Sequence, residues 1–339
     1  MQHATCTEAQ MRYCGMNIGY GYTKMHTDAS YFQIASVVER ARTQNMGGVS
    51  LVRETVPVNV DGHLYEVGAD AHQISESRNS SKAVADAWFD TVQYRALMQM
   101  AIDRMAQEFG ADEWSVTLGM AVNQYKRKEI RKKLETLWKG EHLAASGDTV
   151  RVKLARVVPE PLGAYTWWLQ RECDEPLAES RRMRVMVLDP GYRTFDWLEV
   201  IGGRVIDRHA DAINVGMYDV YRDMQERILD AKDAELDIVA IEQAVVEGKP
   251  IRVRGEPLDH QLYFKASLQA KQDLIETRIR TEIGPAPEAD LILIAGGGAQ
   301  AFAPAVKRAF PKHRVEVCPL PQEANAKGYW LLAGGGNGG

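Results

Sequence analysis

Short apolar runs bounded by turn-forming residues alternate along this chain with longer segments in which apolar positions recur every three or four residues. The first pattern predicts strands and the second amphipathic helices. Residues 13–25 read as strand, glycine turn, strand, with Lys24 on the return arm. Further strands are predicted at 32–38, 48–60 and 63–67, with Asp61-Gly62 as the hairpin turn between the last two. Antiparallel strands at the start of a domain would give it a mixed sheet. Ala87, Trp88, Val92, Leu97, Met100, Ala101 and Met105 fall at helical spacing and predict one or two helices over 83–108. A strand at 114–118, a basic amphipathic helix at 126–142 and a strand at 150–158 follow. Glu160-Pro161 then opens a helix running through Leu169, since proline and an acid both suit a first helical turn.

A second strand–glycine–strand unit is centred on Leu188-Asp189-Pro190-Gly191-Tyr192-Arg193-Thr194-Phe195-Asp196, and Gly202-Gly203 makes the next turn. Helices are predicted at 216–232 and 238–247, then a polar hairpin to Leu258 and a long helix at 261–283. The buried-type strand 291–294 runs into Ala295-Gly296-Gly297-Gly298-Ala299, and a helix follows at 302–310. The charged stretch 171–184 is the linker candidate. The pattern divides the chain into a loose extension (1–12), a first domain (13–165), a second domain (166–318), a returning C-terminal helix (319–333) and a glycine-rich tail (334–339).

The length of 339 residues accommodates two such α/β domains, and 45% hydrophobic with 26% charged residues is ordinary for a globular protein. A net charge of -5 supplies no general attraction to nucleic acid or to acidic membranes. Four cysteines without a CxxC spacing argue for reduced thiols in a cytoplasmic setting. No apolar run approaches the roughly 18 residues of a membrane helix. The eight histidines lack ligand spacing, and no Gly-x-Ser-x-Gly is present, so a histidine metal site and a serine nucleophile are both disfavoured.

Candidate chemistry sits at the glycine turns. A glycine tip lets backbone N–H groups approach an anion, and Asp189 can hold a hydrated Mg²⁺. The same Asp, Pro and Gly also suit an ordinary hairpin turn, and both readings stand at this point. A strand–glycine turn–helix at 291–310 is one way to bring backbone against a nucleotide, although three glycines alone are equally a simple turn. Lys126–Lys128 and Arg131–Lys133 of the basic helix offer phosphate contacts or, more plainly, a solvated face beside the stripe Ile130, Leu134, Leu137.

Taken in order, Asn17–Lys24, Glu160–Leu169, Asp189–Asp196, Ala295–Ala299 and Gln322–Leu332 resemble the two phosphate loops, the adenosine loop and the two connecting helices of the actin-like ATPase superfamily. Within it, Gly19-Tyr20-Gly21-Tyr22-Thr23-Lys24 and the hairpin around Asp61-Gly62 resemble plasmid-segregation actins of the ParM/StbA type, with archaeal actins next. The resemblance implies an actin-like (ribonuclease H-like) two-domain fold with mixed sheets, flanking helices and a cleft for ATP (or GTP) and Mg²⁺. It implies that Lys24 touches the β/γ phosphates and that Gly19, Tyr20, Gly21, Tyr22, Gly191, Tyr192, Arg193, Thr194 and Asp196 form the phosphate turns. Glu160 would orient the attacking water, Asp189 would hold Mg²⁺ through water, and Gly296, Gly297 and Gly298 would face the adenosine. Asn17 stands where the family's first loop carries Asp, so it would contribute to the metal through water without charge, slowing hydrolysis while keeping ATP binding. Implied partners are a second copy, head to tail in a filament, and a DNA-binding adaptor on a plasmid centromere. Direct sequence-specific DNA binding and membrane association are not expected. A non-polymerising ATPase or small-molecule kinase of the same superfamily, or a cytoskeletal scaffold, is the alternative.

Overall fold

Strand β1 (Met11–Ile18) folds back through Gly19-Tyr20-Gly21 into β2 (Tyr22–Thr27), and β3 (Tyr31–Ala35) continues the antiparallel meander. This start, and all that follows, is taken from a computed structural model describing residues 10–41, 55–74, 88–110, 112–172, 177–180 and 182–336. Residues 1–9 of the expected extension lie outside the described residues. So do 48–54 of a predicted strand, 83–87 of a predicted helix, 173–176 and 181 of the linker candidate, and 337–339 of the tail.

Strands β4 (Val38–Arg40), β5 (Val56–Val60) and β6 (His63–Val67) form a separate antiparallel sheet, so the early strands divide between two sheets. Asp61 (φ 51°) and Gly62 (φ 77°) make the β5–β6 turn, both with the positive φ of a two-residue hairpin loop. Helix α1 (Val92–Phe109) is capped by Thr91, whose hydroxyl accepts from the Tyr94 N–H, and it buries Leu97, Ile102 and Met105. Each such side chain contributes about 1.5–3 kcal/mol of transfer free energy.

Strand β7 (Glu113–Met120), the short helix α2 (Val122–Tyr125) and α3 (Lys128–Trp138) come next. The basic helix predicted to reach residue 142 ends at Trp138. Lys139 is extended and Gly140 takes φ 130°, which releases the chain into a strand, β8 (Gly140–Leu143), paired with β9 (Thr149–Pro159). Ile130, Leu134 and Trp138 are buried while Lys128, Lys132 and Lys133 face solvent, so the basic face of α3 is a solvated one.

The first sheet runs β3-β2-β1-β7-β9-β8, with β1, β7 and β9 parallel. Helices α4 (Glu160–Trp167) and α5 (Leu177–Ser180) lead to β10 (Arg184–Pro190), β11 (Phe195–Ile201) and β12 (Arg204–Ile213). Helices α6 (Met217–Lys232) and α7 (Ile238–Glu247), hairpin β13 (Ile251–Val253)–β14 (Glu256–Leu258), and α8 (Gln261–Arg278) follow. The chain finishes with β15 (Leu291–Ile294), α9 (Ala299–Ala309), β16 (Val315–Val317) and α10 (Pro321–Ala333). The second sheet runs β12-β11-β10-β15-β16, with β10, β15 and β16 parallel. Both sheets therefore share one plan, an antiparallel meander whose hairpin strand continues into parallel strands. Strand β16 was not expected: three residues leave no periodic signal.

The halves meet where α4 and α10 cross. α4 packs Ala164, Tyr165 and Trp167, with Trp168 just past its end, against Val185, Val187 and Leu198 of the second sheet, while α10 lies on β1 and β7 of the first. The crossing is backbone to backbone. A Cβ on Gly328 would collide with the Gly163 carbonyl, and a Cβ on Gly163 would strike Tyr329. Gly328→Ala is expected to lower the unfolding free energy by at least about 2 kcal/mol, despite the better helix propensity of alanine. Urea unfolding checks this, and an unchanged midpoint would contradict the close crossing.

Candidate functional site

The two glycine hairpins are built alike. In the first, Asn17 pairs with Lys24 across β1–β2, and the Gly19 N–H donates to the Tyr22 carbonyl at 3.2 Å. In the second, Asp189 pairs with Asp196 across β10–β11, and the Gly191 N–H donates to the Thr194 carbonyl at 2.8 Å. The tips touch. A Cβ on Gly21 would lie 2.5 Å from the Tyr192 ring, so glycine there lets the second hairpin pack on the first. Tyr20 stacks on Trp88 with centroids 4.8 Å apart.

Asp189 is 2% exposed, and its Oδ2 accepts from Asn325 Nδ2 at 2.6 Å. Gly296 (φ 84°) sits so close over this carboxylate that no side chain fits. Asp196 is fully buried, and its Oδ1 accepts from the Val122 N–H at 2.6 Å. Glu160 stands at the first turn of α4, and Lys24 reaches into the same space from β2.

Burial sets the electrostatics of this group. It raises the Glu160 carboxyl well above the carboxylate range, helped by the charges of Asp196 and Asp189 and opposed by Lys24. It raises Asp189 too, against the Asn325 hydrogen bond and Lys24. Asp196 is pushed up to about 7 by burial, against hydrogen bonds from Thr194 and the Val122 N–H. Burial lowers Lys24, opposed by Asp189, Glu160 and Glu323. Three carboxyls around one lysine leave an excess of negative charge when ionised, which a divalent cation would balance. Asn17 Oδ1 is a buried acceptor without a hydrogen-bond partner among the described residues and lines the same cleft as Asp189, so the donor set suits a hydrated cation beside a phosphate chain. Among the described residues, no three or more His, Cys, Asp or Glu form a metal cage, so such a cation would keep much of its water.

Every sequence-predicted site residue except Asp196 and Gly298 lines one cleft of ≈ 710 Å³. Asp196 lies behind its wall. Gly298 is buried at the start of α9, where its N–H donates to the Pro190 carbonyl at 2.8 Å and ties the glycine turn to the second hairpin. The sequence reading missed Glu242 and Asn325, which also line the cleft. Glu242, 4% exposed, accepts from the Tyr192 hydroxyl at 2.8 Å and also hydrogen-bonds the Tyr22 hydroxyl, so one acid joins the tips of both hairpins. The signal for each was a lone polar residue in an apolar helical run, Ile-Val-Ala-Ile-Glu for Glu242 and Ala-Asn-Ala for Asn325.

Two family models match this sequence. The N-terminal domain of actin-like proteins matches residues 15–163, and the C-terminal domain of the archaeal MreB-like actin homologue matches residues 187–308. The chain belongs to the actin-like superfamily. No curated protein matches it. Among solved structures, an apo ParM protein of pSK41 is 17% identical with TM-score 0.67, covering 96% of this chain and 97% of that one. An archaeal actin homologue in complex with ADP is 16% identical with TM-score 0.73, covering 95% of this chain and 98% of that one. A ParM from a 15-stranded filament of Clostridium botulinum is 15% identical with TM-score 0.75, covering 96% of this chain and 99% of that one. At these identities the likeness is one of fold, and the actin-like chain shares it from end to end. Among the described residues no helix is long and apolar enough to cross a membrane.

The raised carboxyls carry a stability consequence. Asp196 moves from 3.8 to about 7 on folding, so the folded state binds the extra proton. That contribution is full below pH 4 and is lost as pH rises through about 7. Asp196→Asn is expected to flatten the fall in stability between pH 5 and 8 by roughly 2 kcal/mol. Urea unfolding at both pH values measures it, and a variant that keeps the parental slope would show Asp196 to be ionised in the fold.

Proposed function

We propose that this actin-like chain is a Mg²⁺-dependent ATP (or GTP) hydrolase that assembles head to tail into filaments, segregating or positioning plasmid DNA in the cytoplasm through a DNA-binding adaptor. The observation that carries the nucleotide half is the meeting of Lys24, Asp189 and Glu160 beneath two hairpin tips closed by the same hydrogen bond. The ADP bound to the archaeal homologue and the filament formed by the Clostridium ParM support the nucleotide and the self-association. A heterologous contact that does not close generates a filament, and closure of the cleft on nucleotide would favour the assembling form. The domain boundaries at residues 165 and 318 belong to the same reading, with α10 returning to the first half. A net charge of -5 leaves DNA capture to a separate protein.

Phosphoryl transfer to water needs alignment and charge neutralisation more than covalent chemistry. Lys24 would neutralise the β/γ phosphates, and the Gly19–Tyr22 and Gly191–Thr194 tips would bring backbone N–H groups against phosphate oxygens. When bound, Mg²⁺ would supply positive charge against the charge of the phosphate chain. Asp189 and Asn17 would hold it through water, and the two glycines Gly296 and Gly297 would leave room for the adenosine. Glu160 would orient the attacking water and accept its proton as the bond from the γ phosphorus to the β-phosphate oxygen breaks. Burial raises this carboxyl, which makes its anion a stronger proton acceptor.

Asn17 offers the metal's water an acceptor without charge. Asn17→Asp is expected to raise the Mg²⁺-dependent hydrolysis rate about 10-fold or more with little change in nucleotide affinity. An unchanged or lower rate would show that Asn17 does not limit hydrolysis.

Right-angle light scattering after addition of Mg²⁺–ATP, with pelleting and negative-stain microscopy of the same sample, tests assembly. Filaments that appear with nucleotide and persist, as slow hydrolysis at Asn17 implies, are the expected result. Intact nucleotide binding without scattering at high protein concentration would favour a non-polymerising ATPase or kinase of this fold.

A further inference from the structure

We infer that Asn325 is a positioning residue that fixes the Asp189 carboxylate for the cation and locks it to the helical turn carrying Glu160. The inference rests on the reading of Asp189 given above. Asn325 is 4% exposed, yet both ends of its amide are engaged. Nδ2 donates to Asp189 Oδ2 at 2.6 Å, and Oδ1 accepts from the Ala164 N–H at 3.0 Å. One turn further along α10, the Tyr329 hydroxyl donates to the Glu160 carbonyl at 3.0 Å. Glu160 C=O and Ala164 N–H are the i and i+4 groups of the first turn of α4, and each takes a side-chain partner from α10. The Gly163–Gly328 crossing brings the helices close enough for both bonds.

The amide thus does two things. It engages Oδ2 of Asp189, leaving Oδ1, which lies beneath Gly296, as the oxygen that would meet the cation's water. It also fixes the distance between that carboxylate and Glu160, because both are referred to the same pair of bonds on α10. A shift of α10 against α4 would then move metal and water positions together, and a carboxylate released from its amide would turn away from the hydrated cation.

The test uses the full chain and a fluorescent ATP analogue, titrating Mg²⁺ to find the concentration at half-maximal binding and repeating the binding in EDTA. Asn325→Ala is expected to raise the Mg²⁺ midpoint about 10-fold or more while nucleotide affinity in EDTA stays within about twofold. In an Asp189→Asn background the same change is expected to add no further shift, because Asn325 acts through that carboxylate. Asn325→Leu, which keeps the volume, carries the same readout if the alanine variant does not fold. A parental Mg²⁺ midpoint in a folded variant, an equal loss in EDTA, or an equal shift in the Asp189→Asn background would each overturn the inference. If the parent chain itself bound nucleotide without any need for Mg²⁺, the reading of Asp189 would fall first and the inference with it.

Discussion

Two buried aspartates, a half-buried glutamate and a buried lysine come together in this molecule, and much of the fold makes that arrangement tolerable. An isolated buried charge would cost several kcal/mol, so each group needs hydrogen bonds, an opposite charge or a raised or lowered pKa. The Val122 N–H serves Asp196, Asn325 serves Asp189, and Lys24 lies close to Asp189 and Glu160. These supports come from β7's exit, α10 and β2, elements far apart in sequence. A site assembled this way holds together only when both halves are in place.

The two hairpins make the assembly nearly symmetric, and their differences are chemical. Asn17 and Asp189 occupy the same place in the two hairpins, as do Lys24 and Asp196. One hairpin therefore presents a neutral amide opposite a cation, the other an acid opposite an acid. Phosphate charge and metal charge can be balanced from opposite sides of the cleft. Tyr192 on Gly21, with Glu242 joining Tyr22 and Tyr192, fastens the tips against each other, so the two halves touch at the hairpin tips as well as at the crossing of α4 and α10.

Much of this was legible in the sequence because it depends on local rules. Glycine at a hairpin tip, proline and acid at a helix start, and alternation along strands placed β1, β2, β10, β11, β15 and α7 within a residue or two. Tertiary partners decided the rest. The apolar spacing of 126–142 continues past Gly140, and only pairing with β9 turns its end into a strand. Asp196 reads as a phosphate-loop acid but lies behind the wall, held by a backbone N–H that follows β7. Gly298 reads as the third glycine of a binding turn but anchors α9 to Pro190. Asn325 and Glu242 matter through residues 136 and 50 positions away, which no local pattern reveals.

In the proposed function, two hairpins and one glycine turn close over a single Mg²⁺–nucleotide. Amide hydrogen exchange with and without Mg²⁺–ATP tests it most directly, because each loop reports separately. Slowed exchange is expected at residues 19–24, 191–194 and 295–297 together, at one nucleotide concentration. Protection of only one of these loops, or of none while nucleotide is bound, would contradict it.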